Sequence, residues 1–500
     1  MAKVRVAFLL GLMIAACAPA RLDPVATKPE SPVERHDDLT RALEGANDEH
    51  AARNLGLWLA TAPPDGTTVG GINVRFHPGG DGIYPRSHFD RLEPALRYDV
   101  DGLPHHRGPG VGVPMVGYRT NRHRESHEQW YSDKLITRAV TAVVIPGPAR
   151  DGQRSAEIRL YDRHKTESIP VAGRKQTLAW DFSVPWAAQL ETSRPLNEIG
   201  FFSAFRWKAP RPAGFHLTED YDPRRTPVIC IHGLFSTSLA WAELTNEIWG
   251  DPALRQRYQV WHYLYPTNRP ALYSSMILRR QLDELRKKLD PDGNDPAMKR
   301  AVIVSHSMGG LLAKSLVVQP GNAFWDAFFT RPIGSLTLSD NERHLLDEAF
   351  FWKPRPYVDR VIFCSVPFKG STWAKSVVGL LGSKLVLVEN RFERFFSSVE
   401  RKNPGVLRPE YRSLAGHKIT SLSMLSPEDR STEVFGRLKL IPGTASHVII
   451  GSRDLVVPPA SAARVPGARS FIKVPSGHGS FDDPTAIAEI RRILALPPAR

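Results

Sequence analysis

Cysteine is scarce in this sequence of 500 residues: there are three, Cys17, Cys230 and Cys364. No Cys/His spacing of the metal-binding kind occurs, so no metal is expected. Long apolar runs are missing as well. The uncharged stretch from Val6 to Ala16 falls well short of the roughly 20 residues that a spanning helix needs, which makes it an export-signal core and not a membrane span. The formal net charge is +14, yet the Lys and Arg residues are dispersed and form no recognisable nucleic-acid-binding motif. No nucleic acid partner is expected. Diffuse positive charge suits an anionic membrane surface, at about 1 kcal/mol per basic residue close to the headgroups; solubility in an Arg-rich proteome is an equally good account.

What is present begins with Lys3 and Arg5 ahead of that apolar core, followed by Ile14-Ala15-Ala16-Cys17. Small residues before a cysteine resemble the lipobox of bacterial lipoproteins, which implies a diacylglyceryl group on Cys17 and a mature chain that starts there. The alternative is an ordinary secretory signal cleaved nearby. By the same analogy, Ala18 after the cysteine favours the outer membrane, so the expectation is a lipid-anchored protein of the bacterial cell envelope facing the periplasm. Cys230 and Cys364 lie in the apolar strings VICIHG and VIFCSVP and read as buried strand residues. A disulfide between them is the alternative in an oxidising compartment.

At 42% hydrophobic residues, a chain of this length can bury one large core and a smaller one. Residues 17–36, rich in Pro, Ala and charge, read as a tether. Leu39, Leu43, Leu55, Leu57 and Leu59 recur at helical spacing, predicting a helix from Asp37 to about Ala62. Gly- and Pro-rich text follows to about Arg124. The alternating runs VTAVVI, AEIRLY and TLAWDF then predict antiparallel strands, either a separate domain over 37–225 or an extension of the sheet that follows. From 226 onwards strands alternate with helices, the grammar of a mostly parallel α/β sheet: PVICIHG, QVWHYLYP, a helix over Leu272 to Leu289, RAVIVSHS, RVIFCSVP, HVIIGSRD, ARSFIKV and a closing helix over Pro484 to Leu496. About 80 residues separate VIFCSVP from HVIIG, too many for a plain connection. They predict a cap over 368–446, whose TWAKSVVGLLGSKLVLV and RFERFFSSV either line an acyl tunnel or bury a core of their own. Phe368-Lys369-Gly370-Ser371 follows a strand end and is a further candidate to line the site.

A parallel sheet puts its site at the carboxyl ends of its strands. Ser307 stands there, between the strand AVIV and the helix MGGLLAK, in Ser305-His306-Ser307-Met308-Gly309-Gly310. That context is the one the nucleophile elbow G-x-S-x-G requires, with Ser305 in place of the first glycine; the other reading is a helix N-cap. In an elbow of this kind the remaining members follow in the order carboxylate, then histidine. Asp454 ends the strand HVIIG in GSRD, and His478 follows the last strand in SGHG. An imidazole there can accept the serine proton, and a carboxylate can hold its tautomer; a solvated loop histidine and a turn-capping aspartate are the plainer alternatives. The oxyanion should meet two backbone N–H groups: Met308, next after the serine, offers one, and His232-Gly233-Leu234 resembles the HG-x turn of lipases and esterases, which implies Leu234 as the other.

These strings, PVICIHGLFSTSLAW, VSHSMGGLLAK, IIGSRDLVVP and VPSGHGSFDDP, resemble the bacterial α/β-hydrolase group related to triacylglycerol lipases and PGAP-like esterases, over about residues 226–500. The resemblance implies an α/β-hydrolase fold of the α/β class, in which a mostly parallel sheet is flanked by helices and carries a cap insertion, here behind a strand-rich N-terminal region. It implies two-step acyl transfer from an ester or lipid to water, through a covalent ester on Ser307, with no cofactor. The competing reading is a catalytically inactive envelope lipoprotein that uses the same scaffold as a binding protein.

Overall fold

The computed structural model describes residues 20–25, 31–150, 153–171, 173–192, 213–234, 236–267, 269–371, 373, 390–415 and 423–499. Cys17 lies outside them. The described residues fall into two compact units, one within Ala18–Arg194 and Ala242–Arg257, the other within Pro195–Trp241 and Tyr258–Arg500.

The N-terminal unit opens with two helices, α1 (Pro32–Leu43) and α2 (Glu49–Ala60). Ser31 and Glu34 form a reciprocal capping box at the start of α1, satisfying two N–H groups that the helix leaves open. The expected tether is therefore corrected: this helix begins inside it, and Arg21–Pro24 pairs antiparallel with Tyr98–Asp101. The single helix expected over 37–62 is also two, because Gly45 turns the chain at φ 99° and Asp48 caps a fresh start through the Ala51 N–H. Strands β1 (Thr67–Val69), β2 (Ile72–Phe76), β3 (Ile83–Tyr84), β4 (Arg91–Pro94), β5 (Val113–Thr120), β6 (Leu135–Arg150) and β7 (Gln153–Asp162) follow. They make one sheet in the order β1-β2-β7-β6-β5-β4, with β3 beside β7. The β6–β7 hairpin carries the predicted runs VTAVVI and AEIRLY in register, with Val144 opposite Ile158. Leu39, Leu43, Leu55 and Leu59 of the helices are buried in one cluster with Ile72, Val74, Met115, Val140 and Ile158, each contributing about 1.5–3 kcal/mol by leaving water.

Two further helices belong to this unit although they are encoded after residue 226: α3 (Ala242–Gly250) and α4 (Pro252–Arg257). Reading everything beyond 226 as one domain is corrected accordingly. Polar side chains explain the allegiance. Glu247 lies 2.7 Å from His106 Nε2, Asn246 donates to the Pro104 carbonyl at 2.8 Å and accepts from Ser183 at 2.9 Å, and Arg255 donates to Glu167 at 2.7 Å.

The C-terminal unit is a seven-stranded sheet of β8 (Gly214–Leu217), β9 (Thr226–Ile231), β10 (Tyr258–Leu264), β11 (Ala301–His306), β12 (Val358–Cys364), β13 (Ala445–Gly451) and β14 (Ser470–Val474). Their order is β8-β10-β9-β11-β12-β13-β14. Only β8 runs antiparallel to its neighbour, and the remaining pairs are parallel. Strands β11, β12 and β13 are buried along their whole length, the mark of a sheet covered on both faces. Cys230 and Cys364 sit fully buried in β9 and β12 with free thiols. Helix α5 (Ala271–Leu289) buries Leu272, Met276, Arg279, Leu282 and Leu285, the i, i+3, i+4 stripe read from the sequence.

Helices α6 (Met308–Ser315), α7 (Ala323–Phe328) and α8 (Asp340–Phe350) lie between β11 and β12. Between β12 and β13 the chain forms α9 (Asn390–Lys402) and α10 (Arg430–Arg437). The predicted TWAKSVVGLLGSKLVLV segment lies outside the described residues except for Trp373, which is buried. RFERFFSSV falls in α9, whose Phe396 and Val399 are buried. The space left beside Leu272, Met276, Leu346 and Phe396 is about 20 Å³, room for one water-sized group. Among the described residues, α9 buries part of a core of its own through Phe396 and Val399.

Glu342 fastens α9 to α8. It completes the Ser339 capping box and accepts from Ser398 and Lys402 of α9, each at 2.7 Å. Burial works against the ionised carboxylate, but Lys402, the Ser339 N–H and the Ser398 hydroxyl outweigh it and bring its pKa from the ordinary 4.5 down to about 2. With the folded value depressed, this contribution to stability is complete above about pH 4.5 and is lost as the pH falls towards 2. Glu342→Gln should leave the sheet intact and lower the hydrogen-exchange protection of α9 amides at neutral pH. Equal protection of α9 in the two proteins would show that these contacts do not hold the helix.

Candidate active site

Ser307 joins β11 to α6 with φ 51° and ψ −130°. A non-glycine residue held there costs on the order of 1–3 kcal/mol and persists only where its surroundings over-determine it. They do so here. The Ser307 N–H donates to the Cys364 carbonyl at 3.0 Å, and the Gly310 N–H donates back to the Ser307 carbonyl at 2.9 Å. Both following glycines are required by close approach: a Cβ on Gly309 would lie 2.3 Å from the His232 carbonyl oxygen, and one on Gly310 would lie 2.1 Å from Val366. Ser305, which replaces the motif's first glycine, is fully buried and donates from its hydroxyl to the Ile362 carbonyl at 3.1 Å. The departure is accommodated by one hydrogen bond to the adjacent strand.

The chain brings two further residues to this hydroxyl. His478 Nε2 lies 3.0 Å from Ser307 Oγ, and its Nδ1 lies 2.9 Å from Asp454 Oδ2. The other carboxylate oxygen, Oδ1, accepts from the Val456 and Val457 N–H groups at 2.9 and 2.8 Å. Burial would raise the Asp454 carboxyl; His478 and the two backbone donors reverse this and hold it below the usual carboxylate range. An ionised, immobile Asp454 keeps the proton of a neutral His478 on Nδ1, which leaves Nε2 free to accept from Ser307.

The loop after β9 closes on the elbow from the other side. A Cβ on Gly233 would meet Ser307 Cβ and His306 Nδ1, each at 2.8 Å, so only glycine allows this approach. His232 frames the loop: its Nδ1 donates to the Gly233 carbonyl at 2.9 Å, while the Tyr265 N–H donates to its Nε2 at 3.3 Å and the Tyr265 hydroxyl donates to its carbonyl at 3.0 Å. Burial pushes the His232 pKa down to about 4, so the ring is neutral. Leu234 follows Gly233 directly, and Met308 follows Ser307, fully buried at the first position of α6.

Ser307, Asp454 and His478 thus meet although they stand far apart in sequence, with Gly233-Leu234 and Met308 at the same place. His447 stands elsewhere, on β13, with Nδ1 2.8 Å from Ser470 Oγ. Phe368 is not at a surface: it is fully buried and packs edge-on against Phe363. Sequence reasoning missed three supporting residues. His306 donates from Nε2 to the His478 carbonyl at 2.7 Å. Ser365, at φ 47°, meets Ser480 hydroxyl to hydroxyl at 2.8 Å, bracing the His478 loop against the end of β12. The only advance signal was position: each lies at a strand end or within two residues of a site residue.

The sequence matches the model of the alpha/beta hydrolase family over residues 228–490, more than half of the chain. No curated protein matches it. Among solved structures it is similar to the mature form of a lipase from Bacillus licheniformis, at 14% identity over 57% of this chain and 100% of that one, with a TM-score of 0.34. A carboxylesterase from Bacillus subtilis is 11% identical over 61% of this chain and 97% of its own, with a TM-score of 0.28. A truncated carbohydrate esterase from gut microbiota is 17% identical over 56% and 88%, with a TM-score of 0.31.

The two histidines on neighbouring strand systems make the geometry testable through the reactivity of Ser307 alone. His478→Ala should stop labelling of Ser307 by a fluorophosphonate probe, whereas His447→Ala should label at the wild-type rate and melt at a lower temperature, since it loses a buried packing and hydrogen-bonding group. The reverse pattern would assign the base to His447.

Proposed function

This chain belongs to the alpha/beta hydrolase family and is a hydrolase, and we propose that it cleaves carboxylic esters through an acyl-enzyme on Ser307. The observation that carries this reading is the unbroken relay from Ser307 Oγ through His478 to Asp454, at 3.0 and 2.9 Å, with the serine on a positive-φ turn. As Oγ bonds to the ester carbon, its proton passes to His478 Nε2 and the carbonyl oxygen becomes an oxyanion, for which the Leu234 and Met308 N–H groups are the proposed donors. Collapse breaks the bond to the alcohol, which leaves with the proton from His478. Water then repeats the two steps and frees the acid and Ser307. Asp454 stays ionised throughout and stabilises the imidazolium.

We further propose, on the lipobox-like Ile14-Ala15-Ala16-Cys17 alone, that the protein is anchored in the bacterial envelope through a diacylglyceryl group on Cys17, where ester-bearing lipids are at hand. A single acyl chain binds a membrane only marginally, while two chains hold it firmly.

Ser307→Ala should abolish hydrolysis of nitrophenyl esters while the melting temperature stays near that of the wild type, because a turn hydroxyl contributes little to packing. A chain-length series of these esters would then rank the acyl groups. Undiminished hydrolysis by the mutant removes Ser307 from the mechanism, and a folded wild type inert to both esters and fluorophosphonate would be a binding scaffold instead. For the anchor, Cys17→Ser should shift the protein from the membrane to the soluble fraction; retention after a high-salt wash would remove Cys17 as the attachment point.

A further inference from the structure

The proposed reaction needs the Ser307 hydroxyl and the His478 imidazole at a fixed separation, yet the two residues are 171 positions apart. The loop that carries His478 has glycine on either side, Gly477 and Gly479, residues that leave a backbone poorly defined unless something pins it. One side chain outside the relay touches His478, Phe481 and Gly233 and adjoins Ser307. His306 is the last residue of β11 and adjoins Ser307 through a single peptide bond. Its buried ring donates from Nε2 to the carbonyl of His478 at 2.7 Å. The same ring packs 4.7 Å from the His478 imidazole and 4.5 Å from the Phe481 ring, centre to centre, and its Nδ1 lies against Gly233 of the loop after β9.

From these contacts we propose that His306 is a positioning residue: by tying the backbone of His478 to the residue beside Ser307, it sets the Oγ to Nε2 distance locally. The inference rests on the reading of Ser307 as nucleophile. The bond to a carbonyl requires a proton on Nε2, and burial together with the neighbouring His478 keeps the ring neutral, with a pKa of about 3. Neutrality matters a second time. When His478 becomes an imidazolium during the reaction, a charged His306 at this range would oppose it, and a neutral one does not. The groups that face the ring are His478, Asp454 and His232, of which His232 is neutral and Asp454 is already engaged by His478.

His306→Phe keeps a ring against Phe481 and removes the donor. Because misplacing a reacting group by about 1 Å costs on the order of a hundredfold, kcat should fall about 10–100-fold with KM changed by no more than about twofold. Fluorophosphonate labelling should slow in parallel. His306→Gln, whose side-chain amide can reach the same carbonyl, should recover most of the rate. The wild-type protein offers a reading without any substitution: its ¹⁵N spectrum should show His306 as the Nε2–H tautomer across the working pH range. A phenylalanine variant that labels at the wild-type rate, a glutamine variant as slow as the phenylalanine one, or an Nδ1–H tautomer overturns the proposal. If the phenylalanine variant does not fold, the glutamine variant and the tautomer decide. A wild-type protein that does not label at all fails the parent reading itself, and the inference falls with it whatever the tautomer.

Discussion

Holding Ser307 in the left-handed region of backbone space costs this chain free energy, and much of the C-terminal unit can be understood as what keeps it there. The strand before it is buried along its full length, so the turn cannot relax by retreating into the sheet. The helix after it starts so close to the end of β9 that Gly309 has no room for a methyl group, and Val366, just beyond β12, leaves none at Gly310. The carbonyl of Cys364 takes the Ser307 N–H from the neighbouring strand. Strain at one residue is thus opposed by packing at many, and the turn aims its hydroxyl at His478.

The second layer is polar and mostly backbone-directed. Asp454 spends one oxygen on two N–H groups and the other on His478; His232 spends its two nitrogens on the loop beside it; Ser365 and Ser480 brace the histidine loop. Buried polar groups of this kind are costly when half-satisfied and stiffening when fully paired. Pairing a side chain with a backbone atom also fixes a loop where no regular hydrogen-bond ladder can.

The order of Ser307, Asp454 and His478 was legible in the sequence because each follows within four residues of a short apolar strand, and such strands are periodic and bounded by turn residues. The parallel sheet and the helices over 271–289 and 484–495 were legible for the same reason. Three things were not. The break between α1 and α2 depends on one glycine at positive φ and one capping aspartate, which interrupt a leucine pattern without erasing it. The membership of α3 and α4 is set by Glu247, Asn246 and Arg255 finding partners more than 60 residues away, and no local pattern records that. His306 reads in the sequence as an ordinary residue of the elbow; its role appears only where the carbonyl of His478 comes to rest on it.

The interleaving of the two units bears on how the protein is made. Residues 18–194 lack the helices that finish their own unit, and the chain first lays down β9 of the other unit before supplying them. On the ribosome, therefore, the N-terminal unit is completed only after residue 257 has emerged, when just over half of the chain exists. Until then β9 has neither β10 nor β11 beside it, an apolar strand with both edges open, which is the kind of species that aggregates.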